Sequence, residues 1–262
     1  MKKESGKQPK LVSALIAYLN CPCLYFPPMA DDDPIMEAYR EARTRGEKEG
    51  FLPVLVTADE TLWECLLMNS CENGAQGDEF DAAQVAAYRQ KMLELPLEQG
   101  SSVTALLLKD RKEEAEDDAF DWDSEILGEM GGGEPIDRFY GYWDYGTRDT
   151  VPLILAEIPV RHPWEIFAWL PFGNWNECPD TPELMAVAKH WFALHGAVPA
   201  VMTHDVLEFD LPAPVDREQA MQLALEQYAW CPDAVEQGPE GCTVGMLADT
   251  LAQSKVWYFW WD

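Results

Sequence analysis

The sequence is poor in basic residues and contains no long apolar segment. Its 262 residues include 47 Asp and Glu but only 19 Lys and Arg, which gives a formal net charge of −28 at pH 7. Because phosphate groups and anionic lipid headgroups repel such a chain, we expect it to bind neither nucleic acid nor a membrane surface. No stretch approaches the roughly 20 apolar residues of a membrane-spanning helix. The charge is compatible with a basic protein partner.

Motifs for metals, redox chemistry and cofactors are absent as well. The four histidines form no H-E-x-x-H motif, and the seven cysteines include no C-x-x-C pair. Cys21 and Cys23 flank a proline but have no second close pair, so we expect no bound metal. A Gly-rich phosphate loop, a dinucleotide-binding fingerprint and a G-x-S-x-G elbow are missing, and no cofactor is expected. The odd number of cysteines predicts reduced thiols in a cytoplasmic protein.

Helix and strand patterns alternate along the chain. Apolar residues at helical spacing follow possible capping residues at Asp33, Asp59, Thr181, Asp216 and Thr243. Strand patterns occur in PVLV, TALLL, VPLILAEI, AVPAVM, VLEFDL and the last residues. This alternation predicts an α/β fold around a mixed sheet, with α+β as the alternative.

Two short segments resemble each other. Residues 50–59 (GFLPVLVTAD) and 196–205 (GAVPAVMTHD) share glycine, proline, an apolar run, threonine and aspartate at the same spacing, 146 residues apart. Each follows a predicted helix, which is consistent with a duplicated helix–strand unit and therefore with two related halves. The same order of helix, glycine and strand also arises by chance in α/β chains, and the sequence leaves both interpretations open.

The middle of the chain is acidic. Residues 110–149 carry 14 acidic and 4 basic side chains and a run of three glycines, which predicts a flexible connector. Five aromatic residues in RFYGYWDYG (138–146) indicate that this part docks on a folded half. We therefore predict an N-terminal α/β half at 1–109, a partly docked acidic connector at 110–150 and a C-terminal α/β domain at 151–262.

The chain ends on KVWYFWWD, with five aromatic residues in its last six. In an extended chain, alternate residues from Val256 point to one face and alternate residues from Trp257 point to the other. A strand that is apolar on both faces is typical of the interior of a covered sheet. We predict that this strand is buried and central in the sheet.

Four motifs occur together in the C-terminal part of the chain. They are RHPWEIFAWLPFGNWNECP (161–179), HD before an apolar strand (204–205), EQYAWCPDAVEQG (226–238) and SKVWYFWWD (254–262). With these motifs, residues 151–262 resemble a bacterial family known only as a domain of unknown function, marked by a GGWNECP-like loop and a terminal WYFWWD signature. The family pattern often has a second glycine at the position of Asn174. The resemblance implies an α/β fold and no established activity.

The loop GNWNECPD (173–180) is the densest polar cluster. A nucleophilic cysteine needs a nearby imidazole or helix N-terminus to lower its pKa. Cys178 precedes a predicted helix, and His204 with Asp205 could supply a base and its orienting carboxylate. The alternative is a structural loop with a buried, inert cysteine.

Polar residues of EQYAWCPDAVEQG line a pocket beside this loop or satisfy backbone groups at their own helix end. The candidate pocket residues are Asn174, Trp175, Asn176, Glu177, Cys178, His204, Asp205, Glu226, Gln227, Asp233 and Gln237.

Two classes of function fit these features. The first is a non-catalytic intracellular protein whose acidic surface engages a basic protein partner, as immunity and adaptor proteins do. The second is an enzyme that uses Cys178 with His204 and Asp205. A variant of the second class relies on carboxylates, including Glu177 and Glu226. Because no complete catalytic motif is present, we favour the binding protein.

Overall fold

One six-stranded mixed sheet organises the computed structural model. The described residues are 9–71, 80–118, 120–239 and 241–262, so parts of the predicted N-terminal half, 1–8 and 72–79, lie outside them. The strands are β1 (Cys23–Phe26), β2 (Leu52–Thr57), β3 (Leu153–Ile158), β4 (Val198–Met202), β5 (Val206–Asp210) and β6 (Val256–Trp260). The helices are α1 (Lys10–Leu19), α2 (Asp33–Glu49), α3 (Glu60–Ser70), α4 (Ala82–Glu94), α5 (Gly100–Asp117), α6 (Ile166–Trp169), α7 (Thr181–His195), α8 (Arg217–Trp230), α9 (Asp233–Glu236) and α10 (Val244–Leu251). Among the described residues, no helix is both long and apolar enough to cross a membrane.

The strands are ordered β1-β3-β2-β4-β5-β6 across the sheet. β2 and β4 pair in parallel, and the other neighbouring pairs are antiparallel. β2 comes from the N-terminal part of the chain but lies between β3 and β4, which come from the C-terminal part. The predicted N-terminal half and C-terminal domain therefore share one sheet. Its mixed composition, with helices on both faces, confirms an α/β fold.

The prediction of a central C-terminal strand is wrong, because β6 lies at one end of the strand order and pairs with β5. Trp257, Phe259 and Trp261 are buried in the main core, while Tyr258 and Trp260 on the other face are half-buried. The alternating aromatic pattern thus indicates how strongly the two faces of a strand are packed against helices or loops. It carries no information on how many strands pair with its backbone.

Predicted helix starts agree with the structure to within one residue. Asp59 caps α3 by accepting a hydrogen bond from the backbone N–H of Leu62, and Thr243 caps α10 in the same way. α7 is capped by Asp180, one residue before the predicted Thr181. Short polar side chains ahead of an apolar stripe therefore located the helices well.

The predicted strand TALLL is wrong, since residues 104–108 lie inside α5 (Gly100–Asp117). A short apolar run fits a strand or a helix equally, and here the good helix formers that follow it continue one helix. The predicted boundary at residue 110 therefore falls within α5. The structure also contains β1, a four-residue strand that no pattern indicated.

The main core packs around Trp191 of α7. Its ring stacks on Phe259 of β6, with centroids 5.4 Å apart and planes 9° apart, and meets Trp230 and Trp257 edge-on. The indole Nε1 donates a hydrogen bond of 3.1 Å to Oε2 of Glu226. Aromatic pairs of this kind add to the stabilisation that burial provides, so the terminal strand is held firmly on this face.

The aromatic segment 138–146 covers the opposite face of β5 and β6. Phe139 and Tyr142 are buried there, and the carboxyl oxygens of Glu208 on β5 accept backbone N–H groups of Tyr140 at 2.7 Å and Gly141 at 3.1 Å. Burial raises the pKa of Glu208 to about 8, although the two hydrogen bonds act to lower it. This part of the predicted connector is therefore packed on the sheet.

The two similar segments lie side by side. Leu55 pairs with Val201 and Val56 with Met202 in the parallel ladder, so the partners are separated by the same 146 positions as the motifs. The preceding helices pack on opposite faces, with Tyr39 of α2 in the smaller core and α7 in the main core. The register supports a relationship between the strands, but the two helices are not copies of one packing arrangement.

Candidate functional site

Two Thr-x-Asp turns meet where the central parallel strands end. Oγ1 of Thr57 donates to Oδ2 of Asp59 at 2.8 Å, and Oγ1 of Thr203 donates to Oδ1 of Asp205 at 2.7 Å. The in-register pairing of β2 and β4 places both turns at the same edge of the sheet. The carboxyl ends of parallel strands are the usual position of ligand sites in α/β folds.

His204 lies between the two carboxylates. Its Nδ1 is 3.6 Å from Oδ1 of Asp59, and its Nε2 is 3.6 Å from Oδ2 of Asp205. The close polar contact with the Asp59 carboxylate raises the pKa of His204 against the opposing effect of burial. Burial is the largest effect on Asp59 and would raise its pKa, but the contact with His204 and the hydrogen bond from the Leu62 N–H help to lower the pKa overall. The cluster therefore favours a charged imidazolium between two carboxylates.

Part of the β6 backbone faces away from the sheet. The N–H of Trp261 donates towards β5, whereas the N–H of Val256 donates away from it, to the carbonyl of Ile136 at 3.1 Å. Because N–H groups alternate in direction along an antiparallel strand, those of Tyr258 and Trp260 also point away from β5. Neither meets an acceptor within the part of the chain that the structure describes.

A groove of about 470 Å³ follows this edge, and we name it the β6 groove. Tyr140, Tyr258 and Trp260 contribute aromatic surface to its lining, and Glu134 and Asp233 contribute carboxylates. Much of the remaining lining is apolar. The groove therefore combines aromatic walls, negative charge and free backbone donors.

Trp260 joins the β6 groove to the His204 cluster. Its indole Nε1 donates to Oδ2 of Asp205 at 3.0 Å, and its carbonyl accepts the thiol of Cys231 at 3.1 Å. Polar contacts thus fix both the ring and the backbone of this groove residue.

The loop 173–180 is held by asparagine side chains. Asn174 has φ of 67°, in the left-handed region that glycine and asparagine tolerate best. Its backbone N–H donates to the carbonyl of Pro179, and its Nδ2 donates to Oδ1 of Asn69 at 3.1 Å. Asn69 in turn donates to the carbonyl of Gly173 at 2.8 Å. Asn174 thereby adopts a backbone conformation that residues other than glycine and asparagine seldom take.

The far end of this loop reaches the β6 groove through the last residue. Nδ2 of Asn176 donates to the carbonyl of Asp262 at 2.7 Å, and the N–H of Asp262 donates to Oδ2 of Asp233 at 2.9 Å. Nε2 of Gln237 donates to Oδ1 of Asp233 at 3.0 Å. The structure therefore brings Asn176, Asp233 and Gln237 together, and the last two line the groove.

Cys178 is poorly placed for nucleophilic chemistry. It is 3% exposed, and burial raises the pKa of its thiol far above the ordinary value, with a smaller effect of Cys231. His204 pairs instead with Asp59 and Asp205. A buried, neutral thiol without a base is inert, so the geometry favours the structural alternative for this loop.

Glu226 and Gln227 lie away from the groove, on α8. Oε2 of Glu226 accepts the indole N–H of Trp191 and lies 3.2 Å from Nε2 of His190. Gln227 is 2% exposed. Both residues belong to the packing of α8 on the main core.

Trp175 and Glu177 of the loop make contacts of their own. Nε1 of Trp175 donates to the carbonyl of Phe172 at 2.9 Å. Glu177 forms an ion pair with Arg111 of α5. The eleven predicted pocket residues are thus divided between the β6 groove, the His204 cluster and the supporting structure.

Among the described residues, one group of acidic side chains comes close enough to hold a cation, Asp31 with Asp32 and Asp33. Asp32 is buried, pairs with Arg138 and accepts the hydroxyl of Tyr142 at 2.8 Å. Arg138 already compensates the negative charge of Asp32, the buried member of the group. The cluster is explained by the attachment of the aromatic segment to α2.

Comparison with known proteins identifies the C-terminal part of the chain. Residues 154–262 match the family model "Domain of unknown function (DUF4253)". The matched region includes β4 to β6, the loop 173–180 and the His204 cluster except Asp59. No curated protein and no solved structure matches the chain.

The residues that match DUF4253 do not include every strand in the interior of the sheet. β2 lies between β3 and β4 but is outside the matched residues. Asp59, which follows β2, was not predicted as a site residue. The signal was present, because Asp59 and Asp205 occupy the same position in the two similar segments.

Proposed function

We propose that this protein is a non-catalytic binding protein that takes up an extended, basic segment of a partner protein in the β6 groove. The observation that carries the proposal is the outward direction of the Tyr258 and Trp260 backbone N–H groups at the edge of the sheet. An extended peptide can add to such an edge as a further strand. Main-chain hydrogen bonds then provide affinity, and side-chain pockets provide specificity.

Charge selects the kind of partner. The chain has a net charge of −28, and Glu134 and Asp233 line the groove. Lysine or arginine side chains of a partner would meet these carboxylates and the aromatic faces of Tyr140 and Tyr258. A second copy of the chain is a poorer occupant, because it would bring the same negative charge to the edge.

The acidic composition is analogous to that of small bacterial immunity and adaptor proteins, and we propose the same functional class for this protein. A bacterial, cytoplasmic origin belongs to the same proposal. The cytoplasmic part of this proposal is supported by the seven free cysteines, as expected in a reducing compartment.

The main test is calorimetric titration with a synthetic peptide in which lysine and valine alternate. We expect binding that weakens as salt is raised, because screening reduces the attraction between surface charges. N-methylation of the amides along one edge of the peptide should abolish binding, whereas N-methylation along the other edge should not. Only one edge of an added strand can pair with β6. The matched peptide with glutamate in place of lysine should not bind.

Two charge reversals locate the binding surface. Glu134→Lys changes a groove residue, and Glu47→Lys changes an exposed residue of α2 with the same effect on net charge. We expect Glu134→Lys to weaken peptide binding several-fold more than Glu47→Lys. Equal effects of the two variants, insensitivity to the pattern of N-methylation, or a dimer that occupies β6 would each contradict the proposal.

A further inference from the structure

The segment Cys21–Pro22–Cys23, between α1 and β1, brings two thiols together at the edge of the sheet opposite β6. Their Sγ atoms are 4.0 Å apart, and Sγ of Cys23 is 3.4 Å from the carbonyl oxygen of Cys21. Both cysteines are half-buried, so solvent reaches them. A disulfide bond of about 2.05 Å requires the sulfur atoms to approach by roughly 2 Å. Side-chain rotation is sufficient for a movement of that size.

The backbone around the two thiols is held in place. α1 ends at Asn20, which has φ of 51° and donates its N–H to the carbonyl of Ile16 at 3.1 Å. The carbonyl of Pro22 accepts the N–H of Glu157 at 2.9 Å, and Cys23 begins β1. The separation of the two cysteines is therefore set by the fold.

A buried arginine lies beside this segment. Arg89 of α4 is 8% exposed and donates through Nη2 to the carbonyl of Tyr18 at 2.7 Å, near the end of α1. The hydrogen bond from Cys23 lowers the pKa of the Cys21 thiol, burial opposes this effect, and the charge of Arg89 lowers the pKa further. The carboxylate of Glu157 on β3 acts in the opposite direction. The same hydrogen bond raises the pKa of Cys23.

The lowered pKa of the Cys21 thiol distinguishes it from most of the other cysteines. Burial raises the pKa of Cys65 to about 11 and that of Cys231 to about 12, and it also raises the pKa values of Cys178 and Cys242. Thiolates are the reactive form of cysteine, so Cys21 is the better nucleophile.

We propose that Cys21 and Cys23 form a thiol–disulfide exchange site that reacts with a disulfide of a small molecule or of a protein. The sulfur of Cys21, as thiolate, attacks one sulfur of the substrate R–S–S–R′. A Cys21–S–S–R bond forms, the substrate S–S bond breaks, and R′–S⁻ leaves and takes up a proton. The site is at the other edge of the sheet from the β6 groove and is independent of the proposed function.

The second step closes the protein disulfide. Cys23 loses its proton and attacks the Cys21 sulfur, which forms the Cys21–Cys23 bond and releases R–S⁻, which is then protonated. Two protein thiols lose two electrons and two protons, and the substrate disulfide gains them as two thiols. The proline between the cysteines limits the backbone conformations available to the segment, which keeps the two sulfur atoms close.

The test is mass spectrometry of the reduced full-length protein after exposure to oxidised glutathione near neutral pH. We expect a product lighter by two hydrogen atoms, whose disulfide maps to the peptide that contains Cys21 and Cys23. Cys21→Ser should lose this product. Cys23→Ser should instead accumulate a mixed disulfide with glutathione on Cys21. Cys242→Ser removes a half-buried cysteine elsewhere and should behave as the parent protein does.

A parallel reaction with insulin distinguishes the source of the disulfide. If only glutathione disulfide oxidises the Cys21 and Cys23 thiols, the substrates are small disulfides. If insulin oxidises them as well, protein disulfides are also substrates. In competition experiments, Cys21 should form mixed disulfides at least about ten-fold faster than Cys242 at neutral pH, since more of it is thiolate. Failure to form the Cys21–Cys23 disulfide with both oxidants, or unchanged reactivity in Cys21→Ser, would overturn the proposal.

Discussion

The indole N–H of Trp260 donates a hydrogen bond of 3.0 Å to Oδ2 of Asp205. This contact joins the last strand to the polar turn after β4, and the same carboxylate oxygen lies 3.6 Å from Nε2 of His204. Trp260 also lines the β6 groove. A ligand in the groove would therefore contact a side chain that is bonded to the His204 cluster.

The contributions of two neighbouring aromatic residues to stability should differ strongly. Phe259 is 0% exposed in the main core, so Phe259→Ala should lower the free energy of unfolding by about 3–5 kcal/mol. Trp260→Phe keeps a ring and removes the bond to Asp205, which should cost about 1 kcal/mol. Urea denaturation of both variants measures the difference. Similar losses would show that β6 is not anchored through the main core.

His204 should titrate above its ordinary pKa, because its contact with the carboxylate of Asp59 favours the charged imidazole. Because its pKa is higher in the folded protein than in the unfolded chain, charged His204 stabilises the folded state. This contribution is complete below the pKa of the unfolded chain and is lost as pH rises through the pKa of the folded protein. NMR titration measures it, with His195 as internal control, since burial lowers the pKa of His195. Asp59→Asn should move the His204 pKa downwards and leave His195 unchanged. A His204 pKa at or below that of His195 would contradict the geometry.

Glu208 should make stability fall as pH rises. Its folded pKa is about 8, so between about pH 4.5 and pH 8 the unfolded carboxyl is ionised while the folded one retains its proton. The stabilisation is therefore complete at acidic pH and is lost as pH rises to about 8. Comparing urea denaturation of the parent and Glu208→Gln across this range isolates the effect from general charge repulsion. The parent should lose about 1.4 kcal/mol more than the variant per unit of pKa shift, and parallel curves would exclude the effect.

The DUF4253 region alone should not fold. A fragment of residues 154–262 lacks β2, whose Val54, Leu55 and Val56 are fully buried between β3 and β4. Without β2, the strands β3 and β4 have no common neighbour to join them. The side chains of both hydrophobic cores that pack on β2 are then exposed to solvent. Circular dichroism should show no cooperative thermal transition in the fragment, while the full chain melts cooperatively. A cooperative transition near the temperature of the full chain would prove the prediction wrong.

Cys178 should alkylate slowly in the native protein. It is buried and its pKa is raised, so little thiolate is available near neutral pH. Mass spectrometry after iodoacetamide treatment should show Cys21 labelled well before Cys178. His204→Ala should leave the rate at Cys178 unchanged. Rapid labelling of Cys178 that depends on His204 would restore the enzyme hypothesis.

Local patterns predicted most of what depends on neighbours in the chain. Asp59 and Thr243 cap the expected helices, and one face of β6 is buried in the main core while the other is half-buried. The prediction of a strand at TALLL was wrong because a run of five residues with four apolar side chains does not distinguish a strand from a helix. The sequence does not predict β1, because four residues are too few to establish an alternating pattern.

The candidate site was predicted only in part. Asp233 and Gln237 do lie near the loop 173–180, through Asp262, but Glu226 and Gln227 face the main core. His204 and Asp205 were selected, yet their partner is Asp59 and not Cys178. These partnerships depend on which strands are neighbours, and hydrophobic periodicity does not encode strand order.

The sequence by itself determined the α/β class, five of the helix starts, the burial of one face of the last strand and the excess of negative charge. These properties follow from the period of apolar residues, from capping side chains and from composition. Only the tertiary structure decided that β6 lies at an edge, that His204 is placed between Asp59 and Asp205, and that Cys178 is buried. Each of these depends on contacts between segments far apart in the chain. Such contacts are set by packing the whole set of helices and strands around the two faces of one sheet.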